Sequence, residues 1–168
     1  MYDCLMDQET QNLVCTPEEF EHQKVKAELL YATLDRVYCP YFKEKISFNR
    51  KGLDHIKFKN WNKSRPIKDQ YMRFKLLHLV PDVIKASGTL QGIRETYEFE
   101  RQKKYGKWEA PQRRVIFYEF LAVIGRNRIK VIIKNVEGGE SYFWSIIPYW
   151  GMDEFRKRIL HTGNPMED

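Results

Sequence analysis

Between Thr16 and Pro40 the apolar residues Phe20, Ala27, Leu30, Leu34 and Val37 recur in one pattern. Their spacings of seven, three, four and three lay one stripe along roughly six helical turns. The start of that helix is marked by Thr16-Pro17-Glu18-Glu19, an N-cap followed by proline at the first helical position and a capping-box glutamate at the third. Its expected stop is Tyr38-Cys39-Pro40. A short extended piece, Ile46 to Phe48, then leads through Gly52 into one or two helical turns carrying His55. From Ile67 to Lys85 a second helical pattern puts Met72, Leu76, Leu79, Val80, Val83 and Ile84 on one face, and Pro81 divides it into two linked helices near His78.

After Ser87-Gly88 the period changes from helix to strand. LQGIRETYEFE, RRVIFYEFLAVIG, RIKVIIKNV and SYFWSIIPYW read as four successive strands. Gly125-Arg126-Asn127 and Glu137-Gly138-Gly139 are tight-turn signals, so the last three should form an antiparallel meander. KKYGKWEAPQ reads as a loop joining the first two strands, and Asp153 to Leu160 as a short amphipathic helix. The expectation is an α+β fold in which N-terminal helices pack on a four-stranded antiparallel sheet, closed by a short C-terminal helix. Residues 1–15 are expected to be a flexible N-terminus, 16–160 a single domain and 161–168 a polar tail. No internal repeat or low-complexity run interrupts this order.

Composition narrows the function classes. With 168 residues and 42% apolar positions, the chain fills one sizeable core. Lys and Arg outnumber Asp and Glu by 29 to 23, a net charge of +6 that favours polyanionic partners. Cys4, Cys15 and Cys39 are odd in number and far apart, which argues against a zinc site and a disulfide framework. Asp54, Asp69 and Asp82 fall at spacings unrelated to a magnesium nuclease, and no dinucleotide, Walker or nucleophile-elbow motif is present. No metal or cofactor is therefore expected. The absence of an apolar run of membrane-spanning length and of signal-peptide character gives a cytoplasmic expectation with no membrane partner.

Three segments carry a family resemblance: FNRKGLDHIKFKN, then YMRFKLLHLVPDVIKAS, then the strands ending ESYFWSIIPYW. Together they resemble the phage-associated branch of the barnase, EndoU, colicin and RelE-like ribonuclease superfamily, over roughly Phe48 to Pro148. The resemblance implies RNA cleavage without metal, often in a toxin. It also implies a site histidine in the turn that here holds His55, and an arginine at the position of Arg73 before Lys75-Leu76-Leu77. The long first helix, the basic loop Lys103 to Lys107 and His161 depart from that pattern.

Cleavage of this kind needs a base for the ribose 2′-hydroxyl, cations for the charged phosphorane and an acid for the leaving oxygen. His55, among Lys51, Lys57, Lys59 and Lys63, is the first choice for base or acid, against the plain alternative of a surface histidine in a basic turn. His161, beside Thr162 and Gly163, is a second acid or base, or an inert tail residue. His78 reads as buried and structural, and His22 as a surface residue. Arg73 offers a planar fork to phosphate, or lies on a solvated helix face. On the closing strand Ser141, Phe143, Ser145 and Ile147 share one face and Tyr142, Trp144 and Ile146 the other. Ser145 would orient the phosphate, and Tyr142 and Trp144 would stack bases unless they pack in the core. Lys57 and Lys59 are phosphate ligands, while Lys130 and Lys134 form a basic face beside the closing strand. Tyr105 and Trp108 alternate with basic residues in a loop suited to single-stranded RNA or merely solvated.

The sequence thus points to a metal-independent endoribonuclease acting on RNA, tRNA or ribosome-bound RNA included. The rival is a catalytically silent RNA- or ribosome-binding module. A third reading adds an acidic antitoxin or immunity protein covering the cleft.

Overall fold

The computed structural model describes residues 15–60, 62–125, 127–148, 150–152, 158–160, 165 and 168. Helix α1 (Pro17–Thr33) begins as expected, with Thr16 Oγ1 accepting from the Glu19 amide at 3.1 Å and Glu19 returning the bond to the Thr16 amide at 2.8 Å. It stops earlier than the apolar stripe suggests. Leu34 is extended, and Val37 lies in strand β1 (Arg36–Cys39), where Val37 and Cys39 are buried and Arg36 and Tyr38 exposed. Spacing allowed either structure. The β-branched and aromatic content of Val37-Tyr38, together with an antiparallel partner in β2 (Glu44–Ser47), selects the strand.

Helix α2 (Arg50–Lys57) is capped by Asn49, whose Oδ1 accepts from the Gly52 amide at 3.2 Å, and it buries Gly52, His55 and Ile56 on one face. Gly52 is the point of closest approach to the sheet. A Cβ there would lie 2.2 Å from the carbonyl oxygen of Phe143, so no other residue fits without separating helix from strand. A small hairpin, β3 (Phe58–Asn60) with β4 (Lys63–Ser64), leads to α3 (Ile67–Leu76). The 3₁₀ turn Leu77–Leu79 and helix α4 (Val80–Ala86) follow, so the division near His78 is present. His78 itself is exposed rather than buried, with Nδ1 against the carbonyl of Lys75 at 2.8 Å. Met72 is also exposed, while Phe74 and Leu77 enter the core instead.

The second half forms β5 (Gly92–Phe99), the hairpin β6 (Gln102–Lys104) and β7 (Lys107–Glu109), then β8 (Gln112–Ile124), β9 (Asn127–Val136) and β10 (Tyr142–Pro148). The main sheet is six-stranded and mixed, in the order β1-β2-β10-β9-β8-β5, rather than four-stranded and antiparallel. Strands β5, β8, β9 and β10 are successive antiparallel neighbours, and β2 adds to β10 in parallel. The KKYGKWEAPQ loop contains a hairpin. The expected C-terminal helix is contradicted where it is described: β12 (Arg158–Leu160) pairs antiparallel with β11 (Trp150–Met152), and 153–157 lie outside the described residues.

One sheet face meets the helices in a core that includes Ile46, Phe74, Leu77, Ile84, Phe120, Ile133 and Phe143. The other face carries a smaller cluster, Val115, Phe117, Ile132 and Ile147, with Trp144 partly buried against it. Strand β9 alternates as read, with Ile129, Val131 and Ile133 in the helix-side core and Ile132 in the smaller cluster. Strand β10 does not alternate strictly. A bulge at Trp144, between the pairs Phe143↔Ile133 and Ser145↔Ile132, shifts the parity, so Phe143 and Ile147 lie in different clusters. No described helix is long and apolar enough to cross a membrane.

Candidate active site

The bulge on β10, the buried face of α2, the segment leading into α3 and the last turn of α3 converge on one carboxylate. Arg73 Nη1 donates to Ser145 Oγ at 2.7 Å and to Asp168 Oδ2 at 2.9 Å, while its Nη2 bonds Asp168 Oδ1. Ser145 Oγ, wholly buried, donates to Asp168 Oδ2 at 2.7 Å. Arg65 Nη2 donates to Asp168 Oδ2 at 3.2 Å and to its backbone oxygen at 3.0 Å. His55 Nε2 completes the set, 3.2 Å from Asp168 Oδ2. Four side chains from three parts of the chain thus form a cradle around two oxygens.

The arginines are held by the start of α3. Arg65, Asp69 and Arg73 are spaced four apart, and Asp69 accepts from Arg65 Nη1 at 3.3 Å and from Arg73 Nε at 2.8 Å. Arg65 Nε also donates to the carbonyl of His55 at 2.8 Å, which ties α2 to the cradle. Both guanidiniums are almost fully buried, at 4% and 3% exposure, so their charges need the carboxylates they touch.

The imidazole of His55 stacks on Trp144, with ring centroids 3.9 Å apart. Burial lowers its pKa, against the opposing pull of the Asp168 hydrogen bond and charge, and the two arginines lower it further. Its Nε2 lies 3.0 Å from Arg65 Nη2 and 3.2 Å from Asp168 Oδ2. Arginine only donates, so toward Arg65 the nitrogen must be bare; toward Asp168 it must carry a proton. Those two contacts require opposite protonation states of one atom. The lowered pKa favours the neutral ring near neutral pH, in which one of the two nitrogens is bare and basic.

Burial raises the Asp168 pKa, but hydrogen bonds from His55 and Arg73 and the charges of both arginines hold it far below the ordinary carboxylate range. Burial likewise opposes the charge on Arg73, and Asp168 and Asp69 outweigh it. These shifts set the pH dependence of stability. An unfolded His55 binds a proton below about pH 6.5 that the folded site refuses, so stability should fall as pH drops from there. A second loss should begin below about pH 4, where an unfolded Asp168 protonates and the folded one does not. Urea midpoints measured across pH should show both limbs, and His55→Gln should flatten the upper one.

Beside the cradle opens a cleft of about 790 Å³, whose wall includes His55, Lys59, Phe99, Arg101, Lys134, Tyr142, Trp144 and Asp168. Several expected ligands reach it and others do not. Lys59, Tyr142 and Trp144 line it, but Tyr142 is buried and Trp144 packs against His55 and the smaller cluster, so the expected base-stacking rings are taken up by packing. Lys134 also lines it, but its Nζ is paired with Glu98 at 2.7 Å and lies 4.2 Å from the Trp144 ring centre. Lys130 is only 4% exposed and pairs with Glu119 at 2.8 Å, so the expected basic track along β9 is instead a row of neutralised, buried lysines. Lys57 turns to Glu28 of α1 at 2.5 Å and does not line the cleft. His161 lies outside the described residues, and His22 is exposed on α1.

One member of the cradle, Arg65, and the carboxylate it holds, Asp168, are not singled out by the sequence reading. Arg65 had a signal in the four-residue spacing Arg65-Asp69-Arg73. Asp168 had none, because only the three-dimensional path of the chain brings it to this position. Comparison with family models, with curated proteins and with solved structures gave no match to this chain.

Proposed function

We propose that the cradle is a phosphodiester site and that the protein cleaves RNA by general acid–base catalysis without a metal. One observation carries this reading: a single carboxylate is held by Arg65, Arg73, Ser145 and His55 together, a donor set that suits an anion with several oxygens. The Asp168 oxygens occupy the positions that two non-bridging phosphate oxygens would take. The phosphate then displaces Asp168, since two anions do not share one cradle.

In this arrangement His55 Nε2 removes the proton from the 2′-hydroxyl, and the 2′-oxygen attacks phosphorus. The forked guanidinium of Arg73, with Arg65 and Ser145, stabilises the charge that gathers on the phosphorane oxygens. The bond to the 5′-oxygen breaks, that oxygen takes a proton from water, and the products are a 2′,3′-cyclic phosphate and a 5′-hydroxyl. Phe99, exposed in the wall of the cleft, supplies apolar ring surface for an adjoining base, whereas Tyr142 is buried and Trp144 is already covered by His55 and Lys134.

Incubation of a mixed RNA pool with the protein in EDTA tests the reading. Fragmentation of the pool is expected. Retardation on a gel with the RNA left full length would replace the enzyme with a binding module that uses the same cleft.

A further inference from the structure

The β6–β7 hairpin projects from the rim of the cleft and takes no part in the chemistry above. Its strands pair Gln102 with Glu109, Lys103 with Trp108 and Lys104 with Lys107, which leaves Tyr105-Gly106 as a two-residue turn. Both turn residues have positive φ, +48° at Tyr105 and +79° at Gly106. Asn and Gly adopt that conformation at low cost, and a bulky ring does not, so local folding gives no reason for a tyrosine there.

The same tyrosine is 94% exposed, and Trp108 is 65% exposed. Each ring has a cation beside it: Lys104 Nζ lies 5.8 Å from the Tyr105 ring centre, and the Arg101 guanidinium 5.3 Å from that of Trp108. From Arg101 to Glu109 the hairpin holds Arg101, Lys103, Lys104 and Lys107 against the single acid Glu109. Arg101 and the 75% exposed Phe99 also line the cleft, which makes the hairpin continuous with the wall that ends at His55 and Trp144.

We propose that this hairpin is a binding arm for the single-stranded part of an RNA whose phosphate sits in the cradle, Tyr105 and Trp108 stacking unpaired bases while the four cations follow the backbone. The inference rests on the RNA-cleavage reading for its substrate, but its geometry is separate. Charge complementarity selects a polyanion. Exposed ring faces select unpaired bases, because the bases of a duplex are already stacked on one another.

The test uses a short, fluorescein-labelled, fully 2′-O-methylated oligonucleotide of mixed sequence, which has no free 2′-hydroxyl to react, as a single strand and as a duplex. In fluorescence anisotropy, Tyr105→Asn/Trp108→Thr should weaken single-strand binding on the order of tenfold or more, with duplex binding changed far less. Asparagine suits the turn and threonine the strand, so circular dichroism and the urea midpoint should match or exceed the parent. Single-strand binding within twofold of the parent, or equal losses for strand and duplex, would overturn the proposal. If the variant loses single-strand binding while natural RNA is left full length by the parent, the arm stands and the cleavage reading falls.

Discussion

Replacing His55 with glutamine is expected to lower RNA cleavage by about 10²- to 10⁴-fold, the usual contribution of a positioned acid or base. Glutamine keeps much of the ring's volume against Trp144 and retains a polar end near Arg65 and Asp168, but it cannot take up a proton at neutral pH. The loss should therefore fall on turnover, with binding of 2′-O-methylated RNA and the circular dichroism spectrum close to the parent. The parent's rate should rise with pH until His55 is bare and then level, an acid limb that the variant lacks. Undiminished cleavage by the variant would remove His55 from the mechanism.

Replacing Arg73 with methionine should have the largest combined effect. The guanidinium holds Asp168 through both of its terminal nitrogens, and Ser145 through one of them, in a site with almost no solvent. Removing it leaves the almost wholly buried carboxylate of Asp168 and the half-buried one of Asp69 with Arg65 as their shared arginine. Breaking a buried pair in this way costs about 3–5 kcal/mol, which the urea midpoint would register. The double variant Arg73→Met/Asp168→Asn removes the orphaned charge and should recover part of that stability. It should not recover cleavage, because the fork that would face the phosphorane is still missing. Recovery of both would make Arg73 a purely structural residue.

The parts of this architecture visible in the sequence are those set by local pattern. The Thr16 cap, the division near His78 and the strand sequence from Gly92 onward follow from capping chemistry, proline geometry and a period of two. What failed depended on pairing at long range. Val37 fits a helical stripe and an alternating strand equally well, and only its partner β2 decides between them. The β10 bulge is likewise silent in SYFWSIIPYW, although it is what puts Phe143 and Ile146 in one cluster and Ile147 in the other. Lys130 and Lys134 looked like a phosphate track because alternation shows which face a lysine occupies but not which acid waits there; Glu119 and Glu98 come from other strands.

The site divides in the same way. His55, Arg73 and Ser145 were each selected for their chemistry, and the fold brings them to one carboxylate. Arg65 was legible in the spacing with Asp69 and Arg73, a pattern easily taken for a solvated charge run until burial is known. Asp168 required the structure.

End-group analysis of RNA cut in EDTA tests the central claim most directly. Fragments ending in 2′,3′-cyclic phosphate with new 5′-hydroxyl termini are expected, with no cutting of a DNA strand of the same sequence, which lacks the attacking 2′-oxygen. Intact RNA, or fragments carrying 3′-hydroxyl ends, would contradict that claim.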